Sequence, residues 1–153
     1  MLTYRDIKIM EKLSKKAIEI KKPNKERTVI AGIASKNRIH KIGFNDYIKT
    51  HPATPQIKNE VMISKHAEID CIDKFFKTNY NLAKKKIDDC TIYIVSFTGS
   101  QLNNYSISSM PCDSCFKAIY DSGIPRIVYH SSLNYHDAYG WNNFEIYEQL
   151  LKK

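Results

Sequence analysis

Two separated clusters hold the residues of this chain best suited to chemistry. His66-Ala67-Glu68 lies mid-chain, and Pro111-Cys112-Asp113-Ser114-Cys115 follows after an interval of 42 residues. One imidazole and two thiolates are three soft-to-borderline donors. A catalytic zinc takes three protein ligands and leaves its fourth position to water. Glu68 stands two residues from the histidine and is not required as a ligand. A carboxylate in that position can take a proton from the water and return it to a substrate. The set therefore suits hydrolysis at a Zn2+ centre, where bound water becomes acidic near neutral pH.

The rival reading of Cys-x-x-Cys is a redox pair. It leaves His66 and Glu68 without a purpose, and a proline precedes the pair. Cys71 and Cys90 complete the four cysteines. They share no ligand spacing, and each reads as a small buried hydrophobe. Cys71 is five residues beyond His66 and points elsewhere on a helix. His40, His51, His130 and His136 have no partner pattern and read as surface or packing residues.

The elements that must position the two clusters follow from periodicity. Ile7, Met10, Leu13, Ala17 and Ile20 recur at helical spacing, which predicts a helix from Tyr4 to Ile20 that stops at Pro23-Asn24. Arg27 to Ser35 and Ile39 to Phe44 read as a hairpin, and Asn45 to Met62 as a loop broken by Pro52 and Pro55. Ser64 is the expected cap of a helix carrying His66 and Glu68 in its first turn and ending near Asn79 to Asn81. Thr91 to Phe97 is the clearest strand, and Thr98 to Met110 a polar loop. Pro111 is expected to open a helix that Gly123 ends, with Cys112 and Cys115 facing one side of its first turn. Arg126 to Tyr129 reads as a strand and Trp141 to Leu151 as a final helix. A hairpin followed by alternating helices and strands implies an α/β sandwich with a mixed sheet. Two helix N-termini over one sheet edge would bring His66, Cys112 and Cys115 together, where the helix ends favour thiolates.

The chain has 153 residues, 42% hydrophobic and 26% charged, which predicts one domain spanning 1–153. No apolar run reaches bilayer length, and the charged N-terminus lacks a secretory signal. No membrane association and a cytoplasmic location are the expectations. The net charge of +8 is carried by Lys-rich stretches such as Lys84-Lys85-Lys86. It fits either a solvated surface or attraction for phosphate on a nucleotide or nucleic acid.

Together these residues resemble the cytidine/deoxycytidylate deaminase superfamily, across roughly residues 27–131. Ile42-Gly43-Phe44-Asn45, His66-Ala67-Glu68-Ile69, Pro111-Cys112-Asp113-Ser114-Cys115-Phe116-Lys117-Ala118-Ile119, Ser122-Gly123-Ile124 and Arg126-Ile127-Val128-Tyr129 carry the likeness. The run from Pro111 is most similar to the deoxycytidylate and tRNA-adenosine deaminase branches. The resemblance implies a three-layer α/β/α sandwich with a mixed five-stranded sheet, a zinc ion on His66, Cys112 and Cys115, and Glu68 as the catalytic proton carrier. It implies substrate contacts from Asn45, from Ala67 and from Pro111 with the Cys112 N–H. Tyr129, at a strand end near the cysteine helix, is a candidate to stack on a base. Phe97, Tyr105, Tyr135, Tyr139 and Trp141 are weaker ones.

The expected function is hydrolytic deamination of a cytosine nucleoside or nucleotide, with deoxycytidylate first. The alternative is a base-editing deaminase on single-stranded DNA or RNA, motivated by the charge. A non-catalytic zinc module that binds nucleic acid or a partner is the third reading, which Glu68 opposes. The tail is a candidate surface for homo-oligomers.

Overall fold

The computed structural model describes residues 2–20, 28–36, 38–45, 66–78, 80–99, 104–106, 109–131 and 146–151. Helix α1 covers Tyr4–Ile20, strands β1 and β2 Thr28–Ser35 and Arg38–Phe44, and helices α2 and α3 Ala67–Thr78 and Tyr80–Lys86. Strands β3 and β4 are Thr91–Gly99 and Asn104–Ser106. Helix α4 is Asp113–Ser122, and strands β5 and β6 are Arg126–His130 and Ile146–Leu150. The strand order is β2-β1-β3-β5-β6, with β4 pairing the end of β3. Strands β3 and β5 run parallel, and the other pairs are antiparallel. This is the expected mixed sheet of five main strands.

Side-chain alternation divides the core into two layers. Ile30, Tyr93, Val95, Phe97, Val128 and Ile146 face α1, where Ile9, Met10, Leu13 and Ala17 meet them. Ala31, Ile33, Ile92, Ile94 and Ile127 face the opposite way, toward Ala67, Cys71 and Phe75 of α2, Ala83 of α3 and Ile119 of α4. A strand sends successive side chains to opposite faces, so one sheet serves both layers. Each fully buried Ile or Leu contributes about 1.5–3 kcal/mol. Helix α1 therefore owes its place to its apolar face.

Two contacts fix the layers more tightly than burial alone. A Cβ added at Gly43 would lie 2.4 Å from the Ala67 carbonyl oxygen and 2.4 Å from the Cys71 nitrogen. Those are backbone atoms of α2 and cannot move aside, so β2 and α2 touch where only glycine fits. On the other face, Asp6 is buried at the start of α1 and accepts hydrogen bonds from the Thr3 N–H (2.8 Å), the Tyr93 hydroxyl (2.5 Å) and both Nη atoms of Arg126 (2.8 Å each). Asp6 supplies one half of a capping box, its carboxylate reaching back to the Thr3 N–H and also accepting the Thr3 hydroxyl. Arg126 also donates to Glu148 of β6. Burial alone would raise the Asp6 carboxyl. The bonds from Arg126, Tyr93 and Thr3, with the guanidinium charge, hold it well below the usual carboxylate range.

Several sequence expectations change. The tail is not a helix over Trp141 to Leu151: Ile146–Leu150 is strand β6, with Tyr147 opposite Tyr129 and Ile146 opposite His130. A short apolar run fits both periods. The open edge of β5 decides, because its backbone groups need partners. The loop from Thr98 to Met110 contains β4. Helix α2 ends at Thr78, close to the expected Asn79 to Asn81, and a further helix that was not expected, α3, covers Tyr80–Lys86. Ser64, Pro52 and Pro55, and the Phe144 and Trp141 of the expected tail helix, lie outside the described residues. Among those described, no helix is long and apolar enough to cross a membrane.

Two predictions follow from the contacts. Gly43→Ala is expected to destabilise the fold by about 1–3 kcal/mol through overpacking and to weaken metal retention with it. Chemical denaturation and zinc content of the same preparation read both effects. For Asp6, the folded carboxyl titrates below its unfolded value of about 3.9. Its stabilisation is thus complete above that value and is lost as pH falls below it. Asp6→Asn is expected to flatten the acid limb of a urea-midpoint-versus-pH curve, and Arg126→Ala to cost about 3 kcal/mol at pH 7. Unchanged acid limbs in both variants would refute the role.

Candidate metal centre

His66 precedes α2 directly, and its carbonyl accepts the Asp70 N–H at 3.0 Å, so it is the cap residue of the helix. Cys112 holds the same position on α4, its carbonyl accepting the Phe116 N–H at 2.8 Å. Both residues were expected inside a first turn opened, for α4, by Pro111. Pro111 instead stands one residue before the cap. A cap residue lends the helix only its carbonyl, and the Cys112 backbone is extended (φ −68°, ψ 167°) with no capping bond from its thiol. The side chain is left to face its partners. Cys115 lies one turn further and is buried.

The three donors converge. His66 Nδ1 is 3.0 Å from Cys115 Sγ and 3.5 Å from Cys112 Sγ. All three ligand atoms lie within 4.8 Å of one another. Zinc bonds of about 2.0 Å to nitrogen and 2.3 Å to sulfur, at tetrahedral angles, set nitrogen and sulfur about 3.5 Å apart. The Cys112 distance matches, and the Cys115 distance is half an ångström short. A nitrogen and two sulfurs this close fit zinc in both number and softness.

Charge is already divided between the thiols. The hydrogen bond between them lowers the Cys112 thiol to about 4, with a further bond to His66 acting the same way against burial. That bond and burial push Cys115 far up. Cys112 is thus the more readily ionised member of the pair. Glu68 is 6% exposed and shares a hydrogen bond with Cys115. Burial raises its carboxyl above the usual range, against that bond and the nearby His66.

A buried network sets the approach to Cys112. Ser109 donates its hydroxyl to the Ile94 carbonyl (2.7 Å), and the His130 N–H donates to the same hydroxyl (2.9 Å). The Ser109 N–H returns to the His130 carbonyl at 3.1 Å. His130 Nε2 accepts the Ser96 N–H at 2.9 Å, and Nδ1 lies 2.9 Å from the Ser131 carbonyl. Nε2 must therefore be unprotonated and Nδ1 carries the hydrogen, so the ring is neutral. This network ties the segment entering α4 to β3 and β5. Sequence reading placed His130 among packing residues and passed over Ser109; no spacing rule marks either.

The remaining candidates are distributed as follows. Asn45 Oδ1 accepts the Val29 N–H at 3.0 Å, and its own N–H donates to the Val29 carbonyl at 3.2 Å. It thus closes the end of the β1–β2 pair, next to Phe44, whose N–H donates to Asp70 of α2 (3.0 Å). Ala67 and Pro111 are buried beside the centre's two cap residues. Tyr129 stacks on Tyr147, ring centroids 5.7 Å apart at 29°. Phe97 is fully buried in the α1 layer. The Cys71 thiol donates to the Lys41 carbonyl and is pushed up by burial to about 12, as a buried hydrophobe should be. Cys90 is buried too. His51, His136, Tyr135, Tyr139 and Trp141 lie outside the described residues, as does the Tyr105 side chain.

Comparison with known proteins gives three findings. The family described as the cytidine and deoxycytidylate deaminase zinc-binding region matches residues 3–131. Among solved structures, a cytidine deaminase from Burkholderia pseudomallei is similar at TM-score 0.56 and 14% identity, covering 97% of this chain and 93% of that one. A dCMP deaminase from the cyanophage S-TIM5 is similar at TM-score 0.50 and 17% identity, with 82% of each chain covered. The same phage enzyme, solved with dCMP and dUMP, gives TM-score 0.51. At these identities the likeness is one of fold. No curated protein sequence matches.

Removing one donor tests the centre. His66→Ala and Cys112→Ala are each expected to lose zinc affinity by more than the roughly 10–100-fold that a supporting group is worth. Cys90→Ala should keep one zinc per chain. Elemental analysis after dialysis against a weak chelator decides it.

Proposed function

Because this chain belongs to the cytidine and deoxycytidylate deaminase family, we propose that it is a zinc-dependent hydrolase, one domain long, that deaminates a cytosine nucleoside or nucleotide. The observation carrying the proposal is a buried carboxyl, Glu68, set against three convergent metal donors that it does not join. A purely structural zinc site needs no such group. His66, Cys112 and Cys115 would hold the ion, and zinc there supplies the Lewis acidity that makes water a nucleophile near neutral pH.

The chain's own residues do the rest. Glu68 takes a proton from the attacking water and gives it to the ring nitrogen next to the amine-bearing carbon. It then passes a proton to the departing amine. A C–O bond forms, the C–N bond breaks, ammonia leaves, and nothing is oxidised or reduced. The Ala67 and Cys112 N–H groups, at helix starts where backbone donors lack helical partners, are proposed to hold the base. Asn45 is proposed to meet the sugar, from the end of β2 that borders α2. Tyr129 and Pro111 are proposed as walls of the pocket.

Deoxycytidylate is the first substrate to test, since a phage relative of this fold was solved with dCMP and dUMP. The +8 charge favours a second reading, a cytosine within single-stranded nucleic acid.

A panel of cytosine, adenine and guanine nucleosides, nucleotides and short oligonucleotides, followed by mass and released ammonia, tests both readings. Turnover is expected on a cytosine monomer, with a gain of about one dalton. Glu68→Gln is expected to keep its zinc and lose about 10²–10⁴-fold in kcat. Ammonia from oligonucleotides alone would favour the second reading. No ammonia from any of them, with zinc in place, would sink both.

A further inference from the structure

We infer that the end of the sheet remote from the metal donors carries a second site, built for a free oligophosphate group. A hollow of about 290 Å3 there is lined by Ser35, Lys36, Arg38, His40, Lys86 and Asp89. Three elements meet at it: the β1–β2 turn, the end of α3 and the turn before β3. Three cations and one carboxylate line it. Lys36, Arg38 and Lys86 are all exposed, and none forms an ion pair with a described residue. Three cations against one carboxylate leave the hollow net positive, and an anion relieves the repulsion among them.

Two further observations bear on these charges. The His40 ring lies within hydrogen-bonding distance of Ser35 (Nε2···Oγ 2.5 Å) and packs on Phe75. Burial first, then the charges of Lys86 and Arg38, lower its pKa, so both cations act on one imidazole. Lys36 has a φ of 54°, the left-handed region that favours Gly or Asn. The hairpin thus keeps a cation at a turn where a smaller residue is easier.

The site is separate from the metal donors. Arg38 and Asn45 stand at opposite ends of β2, roughly 20 Å apart at the rise of an extended strand. Phe44 and Asn45 mark the α2 start, whereas His40 meets Phe75 near the end of that helix. The volume is at the small end for ligand sites, which run about 300–1,000 Å3. It suits two or three linked phosphates better than a whole nucleotide.

The test is a titration of the zinc-loaded full chain with inorganic pyrophosphate at low salt, read by backbone amide shifts. Saturable shifts at Ser35 to His40 and Lys86 to Asp89 are expected, with those around His66 and Cys112 unmoved. Arg38→Gln and Lys86→Gln should each weaken binding roughly tenfold or more, the range of a bond to a charged group. Asp89→Asn should tighten it by removing the repelling carboxylate. Lys36→Gly should weaken it while leaving the thermal midpoint unchanged or higher, which separates lost charge from lost structure. Shifts confined to the metal donors, or affinities indifferent to all four substitutions, would overturn the site. So would binding of oligodeoxythymidylate that strengthens with length while pyrophosphate does not bind.

Discussion

The close approach of α2 to β2 at Gly43 is the constraint on which the rest of the molecule hangs. With no Cβ in the way, the helix backbone comes down onto the strand at Ala67 and Cys71. Those residues flank Glu68 and follow His66, so the height of the helix over the sheet is also the height of an imidazole and a carboxyl. Asp70 adds direction to that contact by taking the Phe44 N–H. The sheet carries the information onward, from β2 through β1 to β3. There Ile94 and Ser96 hold Ser109 and His130, which set the entrance to α4. Two clusters far apart in the chain are thereby referred to one frame.

At the point where they meet, helix ends do part of the electrostatic work. The starts of α2 and α4 turn backbone N–H groups and the positive ends of their dipoles toward the site, which favours negative charge there. That suits thiolates and a carboxylate, which would otherwise repel across this distance. The bond between the thiols favours ionisation of Cys112 and, with burial, opposes it at Cys115. Burial of Glu68 works in the opposite sense to the helix end. The carboxyl is held where it can accept a proton, apart from the three donors.

How much of this was legible in the sequence depends on whether the signal was local. Helix α1 was read to its exact bounds because its apolar stripe runs five turns. The hairpin and β3 were found from Val- and Ile-rich runs, and the donor set from residue type and spacing. The likeness to a known family added the layer order. What escaped was set by partners distant in sequence. Whether the tail formed helix or strand rested on the open edge of β5, and the cap positions of His66 and Cys112 rested on where the first helical bond forms. Gly43 was read as one letter of a strand motif. A glycine within a strand is a recognised sign of close backbone approach, but the approaching helix lay more than twenty residues on. Ser109 and His130 bear no local mark of their roles.

The bond between Asp6 and Arg126 spans 120 positions, and it gives the chain a temporal order. Asp6 caps its own helix from the beginning, yet its buried carboxylate is without its cation until β5 has formed. The guanidinium is further oriented by Glu148 on β6. During synthesis α1 can curl early, because a capped helix is a local structure. Its apolar face can meet β1 and β3 before β5 forms, but the ion pair with Arg126 closes only once β5 is present. Contacts of such long separation slow folding, since loop closure precedes any gain from them. The bond that ties α1 to β5 is therefore a late event of assembly, added to a helix whose apolar face can already rest on β1 and β3.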